Sequence, residues 1–424
     1  MRTGSSSGLN ADVRAQNLLA DHQFLRLQLE LNQLAPEQAQ LYRGILANRN
    51  NDSKGSIELL EPLVEKVAAA GDTVHEKLLR KALAEDYLRA GDLSKAAKQY
   101  QALDSRLGGS LSADEREEIE LPLKLLPLAA SNPPMTVDPC DSFVLQVSKN
   151  PLGLTDIPVF VDARPHTWML DPTAPFNLIA RSLAREAGLR VSEESATIHT
   201  LTGKPMQVHS TVIPRFTVGG RLTFHNVTAF VFEDTDYTFA GSHYQVQGVL
   251  GYPALSALGS LTISDNATIE LRPVRQVRPS AAPLSNDAGA RFFLDGDQMI
   301  VALGTVPNER MFVVDAAGQQ TYFTARYYDE HAEEFERQKA ELSSIGSAHG
   351  SPVQPVYVAE TLPLEIGAAT VHVHYIRVLT QALGSAALDD VYGTLGVDVL
   401  DQLRSYTFDY QSMRFSVGAE DRGQ

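Results

Sequence analysis

Only one cysteine occurs among the 424 residues, and this scarcity limits the chemistry open to the protein. A single thiol, Cys140, cannot form an internal disulfide or supply a cysteine-based metal site. Basic residues are also few relative to acidic ones: 36 lysines and arginines stand against 52 aspartates and glutamates, for a net charge of −16. This excess of negative charge argues against nucleic acid and anionic membrane surfaces as partners, because both are bound by basic surfaces.

Long apolar runs are missing as well. No run approaches the roughly 20 residues that span a bilayer, so the sequence predicts no transmembrane segment. The N-terminus also lacks the apolar core of a signal peptide. An exported or periplasmic location is expected if such a signal has been trimmed, and a cytoplasmic location otherwise.

Several catalytic motifs are absent. The sequence contains no Gly-x-Ser-x-Gly elbow, no His-Glu-x-x-His helix and no phosphate-cradling glycine loop. His372 and His374 alternate on one predicted strand and have the chemistry of metal ligands, but no third ligand is evident beside them. We therefore predict no metal site and no cofactor.

The first part of the chain has helical periodicity. From about residue 10 to residue 128, apolar residues recur at helical spacing and strand-like alternation is absent. This segment resembles a tetratricopeptide-like helical domain, with a weaker copy of its packing positions 40 residues upstream. The packing positions are Leu83, Ala84, Tyr87, Gly91, Ala96 and Tyr100. The resemblance implies a protein partner for this domain.

The pattern changes at residue 142 to short alternating segments bounded by glycine, proline and asparagine, which predict β-hairpins. Two linkers, rich in proline or in proline, arginine and serine, separate the parts, at about 130–141 and 272–286. The sequence therefore predicts three domains. They are a helical domain at 10–128, a β-rich lobe at 142–273 and a second β-rich lobe at 287–418.

Two stretches of the β-rich part resemble each other. Met169–Ala174 and Val313–Gly318 each place an aspartate at the end of a short apolar run, and these aspartates lie 315 − 171 = 144 residues apart. Glycine turns and closing strands further along repeat with offsets of 367 − 219 = 148 and 407 − 262 = 145 residues. An offset this constant over several features indicates a duplicated domain.

The repeated aspartates resemble the motif of the retropepsin-like aspartic proteases, in the single-chain, two-lobe form found in bacteria. In that family an Asp-Thr/Ser-Gly sequence follows a strand, and two hydrophobic residues and a glycine follow much later. Here the later element is Val249-Leu250-Gly251 and, less closely, Thr394-Leu395-Gly396. The resemblance covers roughly residues 142–417. It implies a multidomain α plus all-β protein, with two acid-protease β-barrel lobes after the helical domain.

The resemblance also implies an aspartic endopeptidase in which Asp171 and Asp315 activate a water molecule. Two close carboxylates cannot both ionise easily, so they share a proton. One then acts as a base on the water and the other as an acid toward the peptide carbonyl. Flap hairpins are expected to cover the peptide substrate. The flap residues are then Thr202, Gly203, Lys204, Gly346, Ser347 and His349.

The residues after each aspartate depart from the family motif. Asp171 is followed by Pro172-Thr173 and Asp315 by Ala316-Ala317, where the family has Thr/Ser-Gly. We therefore predict that the hydroxyls that cross-link the two loops, and the close approach of backbone N–H groups to the carboxylates, are lost. The alternative function is a catalytically inactive pseudoprotease that binds peptides, or a scaffold that acts through its helical domain. Restoring Thr-Gly in both loops is expected to raise activity.

Overall fold

The computed structural model describes residues 5–199, 205–236, 238–239, 244–265, 267–273, 289–304, 308–335, 338–344, 353–382 and 389–418. The chain forms two compact units. The first comprises Met1–Pro134 with Phe293–Gly296, and the second comprises Met135–Phe292 with Asp297–Gln424. Among the helices in these described ranges, none is both long enough and apolar enough to cross a membrane.

The first unit confirms the predicted N-terminal helical region, whereas its identity as a tetratricopeptide array stays a prediction. Its helices are α1 (Ser5–Ala20), α2 (Phe24–Glu30), α3 (Pro36–Arg49), α4 (Ser53–Leu60), α5 (Val64–Ala70), α6 (Thr73–Arg89), α7 (Leu93–Leu107) and α8 (Ala113–Ala130). Three short 3₁₀ turns complete it, at Leu31–Gln33, Glu61–Leu63 and Gly108–Ser110.

Polar caps start four of these helices at intervals of 20 residues. Asp52, Asp72, Asp92 and Ser112 each accept a hydrogen bond from the backbone N–H three residues further on. Each such cap satisfies a donor that the first helical turn leaves unpaired and stabilises the helix by roughly 1 kcal/mol. The regular caps explain why this region is divided into short helices.

Asp295 supplies a half-buried anion to the first unit. Its carboxylate lies 2.7 Å from Nη2 of Arg49 and 3.0 Å from Nδ1 of His22. Burial alone disfavours the ionised carboxylate, but the Arg49 guanidinium overrides this and holds the pKa of Asp295 well below its ordinary range. The segment Phe293–Gly296 therefore belongs to this unit by charge as well as by packing.

The second unit is built mainly of strands. Its first half contains β1 (Thr136–Val137), β2 (Phe143–Gln146), β3 (Ser148–Lys149), β4 (Thr155–Val161), β5 (Arg164–Leu170), β6 (Leu178–Ala180), α9 (Arg181–Glu186), β7 (Val191–His199), β8 (Pro205–Val218), β9 (Leu222–Phe232), β10 (Thr238–Phe239), β11 (Tyr244–Gln245), β12 (Gly248–Leu250), α10 (Tyr252–Leu255), β13 (Leu258–Ser264) and β14 (Thr268–Pro273). A nine-stranded sheet contains most of these strands, and the β8–β9 pairing bends it back on itself.

The second half continues with a similar set of elements. They are β15 (Ala290–Asp295), β16 (Gln298–Leu303), β17 (Arg310–Val314), β18 (Tyr322–Phe323), α11 (Ala325–Phe335, kinked at His331), β19 (Glu341–Ser344), β20 (Val353–Ile366), β21 (Ala369–Leu379), β22 (Gly393–Leu395), α12 (Val397–Leu400), β23 (Ser405–Asp409) and β24 (Arg414–Val417). These strands form a thirteen-stranded sheet that also includes β2, β13 and β14.

The two halves share this sheet through one pair of strands, β13 and β23. β13 runs antiparallel to β23, with Thr262 opposite Thr407. The hydroxyls of these two threonines lie 2.8 Å apart. The two halves are thus tied by backbone and side-chain hydrogen bonds well outside the segments that carry the aspartates.

One arrangement of strands occurs in both halves. β5 pairs in parallel with β12, and β6 fits antiparallel on the other side of β12. In the same way, β17 pairs in parallel with β22, and β18 lies antiparallel on its other side. The buried, mainly apolar β5 and β17 ends each lead directly into one of the two aspartates. The fold therefore presents Asp171 and Asp315 in equivalent positions.

Candidate active site

Each aspartate is held where a central strand ends. The backbone N–H of Asp171 donates to the Leu250 carbonyl at 3.1 Å, and that of Asp315 donates to the Leu395 carbonyl at 3.0 Å. These bonds continue the parallel pairing of β5 with β12 and of β17 with β22 by one residue. The sheet thereby fixes the backbone of both aspartates before the chain turns.

Backbone N–H groups do reach both carboxylates. Oδ1 of Asp171 accepts from the N–H groups of Thr173 at 3.0 Å and Ala174 at 3.1 Å. Oδ1 of Asp315 accepts from those of Ala317 at 3.2 Å and Gly318 at 2.7 Å. The prediction that this support is lost was wrong.

The reason lies in the shape of the turn. In both loops the N–H three residues after the aspartate also donates to the aspartate's own carbonyl, at 3.2 Å. Such a turn directs successive N–H groups at the aspartate side chain. Neither Thr173 nor Ala317 has a positive φ, so a side chain is accommodated where the family uses glycine.

Thr173 links the two loops. Its hydroxyl donates to Oδ1 of Asp171 at 2.8 Å and accepts from the backbone N–H of Ala316 at 2.9 Å. The expected loss of the hydroxyl cross-link was therefore only half right. One hydroxyl bridge remains, one residue further along the first loop than in the family motif. The second loop has Ala316 and Ala317 at these positions, so it supplies no hydroxyl for a reciprocal bridge.

A second set of polar residues connects the aspartate loops to the glycines at the ends of β12 and β22. The side-chain carbonyl of Asn177 accepts from the N–H of Gly251 at 3.0 Å. In the other half, the hydroxyl of Thr321 accepts from the N–H of Gly396 at 2.8 Å and donates to Asp398 at 2.6 Å. Our sequence reasoning missed these three polar residues. The signal was available, because Asn177 and Thr321 both lie six residues after an aspartate.

Gly251 and Gly396 are required by close backbone contacts. A Cβ on Gly251 would lie 2.3 Å from the Phe176 carbonyl oxygen, and one on Gly396 would lie 2.8 Å from the Gly318 carbonyl oxygen. Atoms do not approach so closely, so any larger residue would displace the loop that carries the aspartate. This contact explains the glycine in both hydrophobic-hydrophobic-glycine elements.

The two carboxylates differ in exposure. Asp171 is only 3% exposed, whereas Asp315 is half-buried. Burial, together with the nearby charge of Asp315, raises the pKa of Asp171 from its ordinary value of 3.8 to about 6. Burial also raises the pKa of Asp315. Both shifts favour the protonated acid, so the pair holds a proton more tightly than two free aspartates would.

Asp171→Asn is expected to stabilise the protein at pH 8 but not at pH 3.5. Because the folded pKa lies above the unfolded one, the folded state binds the proton more tightly, and stability is lost as pH rises from about 4 to about 6. A shift of this size costs roughly 1–3 kcal/mol at most once the carboxylate is ionised. Melting temperatures of the two proteins at both pH values test this, and equal differences at the two pH values would contradict it.

Other predicted sites are not brought to these loops. The proposed flap residues 202–204, 346, 347 and 349 lie outside the described residues. Cys140 is a free thiol beside the Asp141 carbonyl, and Nδ1 of His374 lies 3.0 Å from the Thr361 hydroxyl. In the parts of the chain that the structure describes, no group of three histidine, cysteine or acidic side chains is placed to hold a metal ion.

One segment of this chain matches a family model, and several solved structures are similar to parts of it. The family model of the aspartyl proteases matches residues 157–254. No curated protein matches the chain significantly. A retropepsin-like aspartic protease from Rickettsia conorii is similar in structure, with 19% identity and a TM-score of 0.23, over 32% of this chain and 92% of that one.

Two seed proteins are also similar in structure. Basic 7S globulin from soybean has 10% identity and a TM-score of 0.41, over 66% of this chain and 95% of its own. Conglutin gamma from lupine has 10% identity and a TM-score of 0.39, over 65% and 94%. The family-model match covers Asp171, its loop and the Gly251 element, and it confirms the resemblance drawn from the sequence: residues 157–254 are similar to the aspartyl proteases.

Proposed function

We propose that the protein is an aspartic endopeptidase that hydrolyses peptide bonds with a water molecule held between Asp171 and Asp315. The observation that carries this proposal is the hydroxyl bridge from Thr173 to Ala316, because it joins the two aspartate loops directly. Each carboxylate also receives two backbone N–H groups on Oδ1. Among the described residues these hydrogen bonds go to Oδ1, so Oδ2 of each aspartate is the oxygen that we expect to face a water or a substrate.

The unequal burial of the pair suggests a division of roles. The protonated Asp171 donates to the carbonyl oxygen of the scissile peptide, while the ionised Asp315 removes a proton from the attacking water. The new C–O bond and the two proton transfers give a neutral gem-diol. As the C–N bond breaks, Asp315 gives its proton to the leaving nitrogen and Asp171 takes back a proton from one hydroxyl of the gem-diol. The pair, which titrates as one unit, thereby returns to its starting state.

We also infer that the two halves are duplicated lobes and that the peptide lies between them. The repeated strand arrangement supports this, since both aspartates end a central strand that pairs in parallel with a glycine-ended strand. The flaps at residues 202–204 and 346–349 would cover the peptide. The helical unit would recruit a protein partner or substrate.

The alternative is a peptide-binding protein without catalysis. The one-sided link between the loops favours it, because one hydroxyl bridge joins them among the described residues, where the family motif implies two. A loosely held pair of carboxylates keeps its binding surface but loses rate steeply with small displacements. Peptide binding without cleavage would place this function first.

Cleavage of a peptide library is expected to proceed at pH 4–5 and to fall as pH rises through about 6. Above that pH Asp171 loses its proton, so no acid remains to protonate the peptide carbonyl. The rate should also fall at the acid end, where Asp315 becomes protonated and no base remains. Mass spectrometry of the library across pH 3–8 measures this profile, and a rate that keeps rising from pH 6 to 8 would contradict the dyad mechanism.

A further inference from the structure

The Thr173 hydroxyl takes part in two hydrogen bonds, as the donor in one and the acceptor in the other. It has a single hydrogen, which goes to Oδ1 of Asp171, and it accepts the N–H of Ala316 from the other half of the unit. A hydroxyl that accepts a hydrogen bond becomes a stronger donor, because the two bonds polarise each other. The strength of the bond to Asp171 therefore depends on the presence of the second loop.

The residues around this hydroxyl make the link one-sided. Pro172 has no N–H and cannot donate to the second loop, and Ala316 and Ala317 have no hydroxyl with which to accept. The first loop supplies the acceptor, Thr173, and the second loop supplies the donor, Ala316. The residues that differ from the family motif in the two loops therefore supply the donor and the acceptor of a single hydrogen bond.

We propose that Thr173 is a positioning residue that couples contact between the two loops to the proton affinity of Asp171. When the loops meet, the N–H of Ala316 strengthens the donation from Thr173 and favours ionised Asp171. When they separate, the donation weakens and Asp171 binds its proton more tightly. In the described parts of the chain no hydroxyl donates to Asp315, so the coupling acts on one member of the pair. This regulation rests on the proposed function of the dyad.

The first test compares Thr173→Val, which has nearly the same shape without the hydroxyl, with Thr173→Ser, which keeps it. The titration of the Asp171 carboxyl carbon is followed by ¹³C NMR and assigned by its absence in Asp171→Asn. We expect valine to move the midpoint upward by about one to two pH units and serine to leave it within a few tenths. Where peptide cleavage is measurable, the alkaline limb of its pH profile should move by the same amount.

Thr262→Val is the matched control. It removes another threonine hydroxyl that joins the two halves, the one 2.8 Å from Thr407, and it leaves the residues of both aspartate loops unchanged. Its Asp171 titration should equal that of the parent. An equal shift in this variant would mean that any weakening of the contact between the halves suffices, and it would overturn the specific role of Thr173.

The second test removes the donor instead of the acceptor. Ala316→Pro deletes the N–H, at the position where the first loop already carries a proline. Proline should raise the Asp171 midpoint by roughly half a unit or less, and should add nothing when Thr173 is already valine. Equal effects in both backgrounds, or none in either, would overturn the coupling. The titration needs no substrate, so it tests the coupling even in a protein that cleaves no peptide. If the titration shows no coupling but the protein cleaves peptides, the coupling is overturned and the proposed function stands.

Discussion

Replacing either aspartate of the dyad with asparagine is expected to lower peptide hydrolysis by roughly 10²–10⁴-fold or more, since each variant removes a general acid or base. Asparagine has nearly the same shape and keeps a carbonyl oxygen for the two N–H groups that Oδ1 accepts. The fold should therefore survive in Asp171→Asn and Asp315→Asn. Turnover of a cleaved library peptide at pH 4.5 measures the loss.

Asp401→Asn provides the control for this pair. Asp401 is exposed and its carboxylate binds only Lys149 among the described residues, so its loss should leave turnover within about twofold. The two dyad variants should also match the parent in their circular dichroism spectra. If either dyad variant hydrolyses peptides at nearly the parental rate, water activation by this pair is excluded. If the parent itself binds peptides without cleaving them, the peptide-binding function takes its place.

The sequence predicted the framework of this site because the framework depends on patterns that repeat. Apolar runs that end in an aspartate predict strands with a polar end, and the near-constant offset predicts that this happens twice. The glycines at 251 and 396 were found for the same reason. Each is required by a close contact with backbone, and so a glycine ends the short hydrophobic motif in both halves.

The sequence did not predict how the loops are joined. The family motif places the bridging hydroxyl directly after the aspartate. Here the hydroxyl that bridges the loops belongs to Thr173, one residue later. Whether a hydroxyl reaches across depends on the φ and ψ angles of the turn, which residue types alone do not determine. The expected gain from restoring Thr-Gly in both loops therefore stays a prediction. It depends on a threonine at position 172 replacing the bridge that glycine at position 173 would delete.

Gly318→Ala is expected to lower turnover about as strongly as the loss of a catalytic donor, by roughly 10²–10³-fold. A Cβ at this position would lie 2.4 Å from Oδ2 of Asp315 and 2.7 Å from its Cγ. Non-bonded atoms do not lie this close together, so the Asp315 carboxylate must rotate or shift to accommodate the added Cβ. Oδ2 is the oxygen proposed to activate the water, and a displacement of about 1 Å in a catalytic group costs on the order of 10²-fold in rate.

The same substitution distinguishes displacement of the carboxylate from loss of the fold. Gly109→Ala is the matched control, because a Cβ there meets nothing within 4 Å, and it should leave both turnover and melting temperature close to those of the parent. Gly318 has no positive φ, so alanine introduces no backbone strain and the fold should persist. A Gly318→Ala protein that stays folded and cleaves peptides at the parental rate would mean that Oδ2 of Asp315 can move freely during catalysis. The water would then have to be held by Asp171 alone, which a mechanism based on a shared proton does not allow.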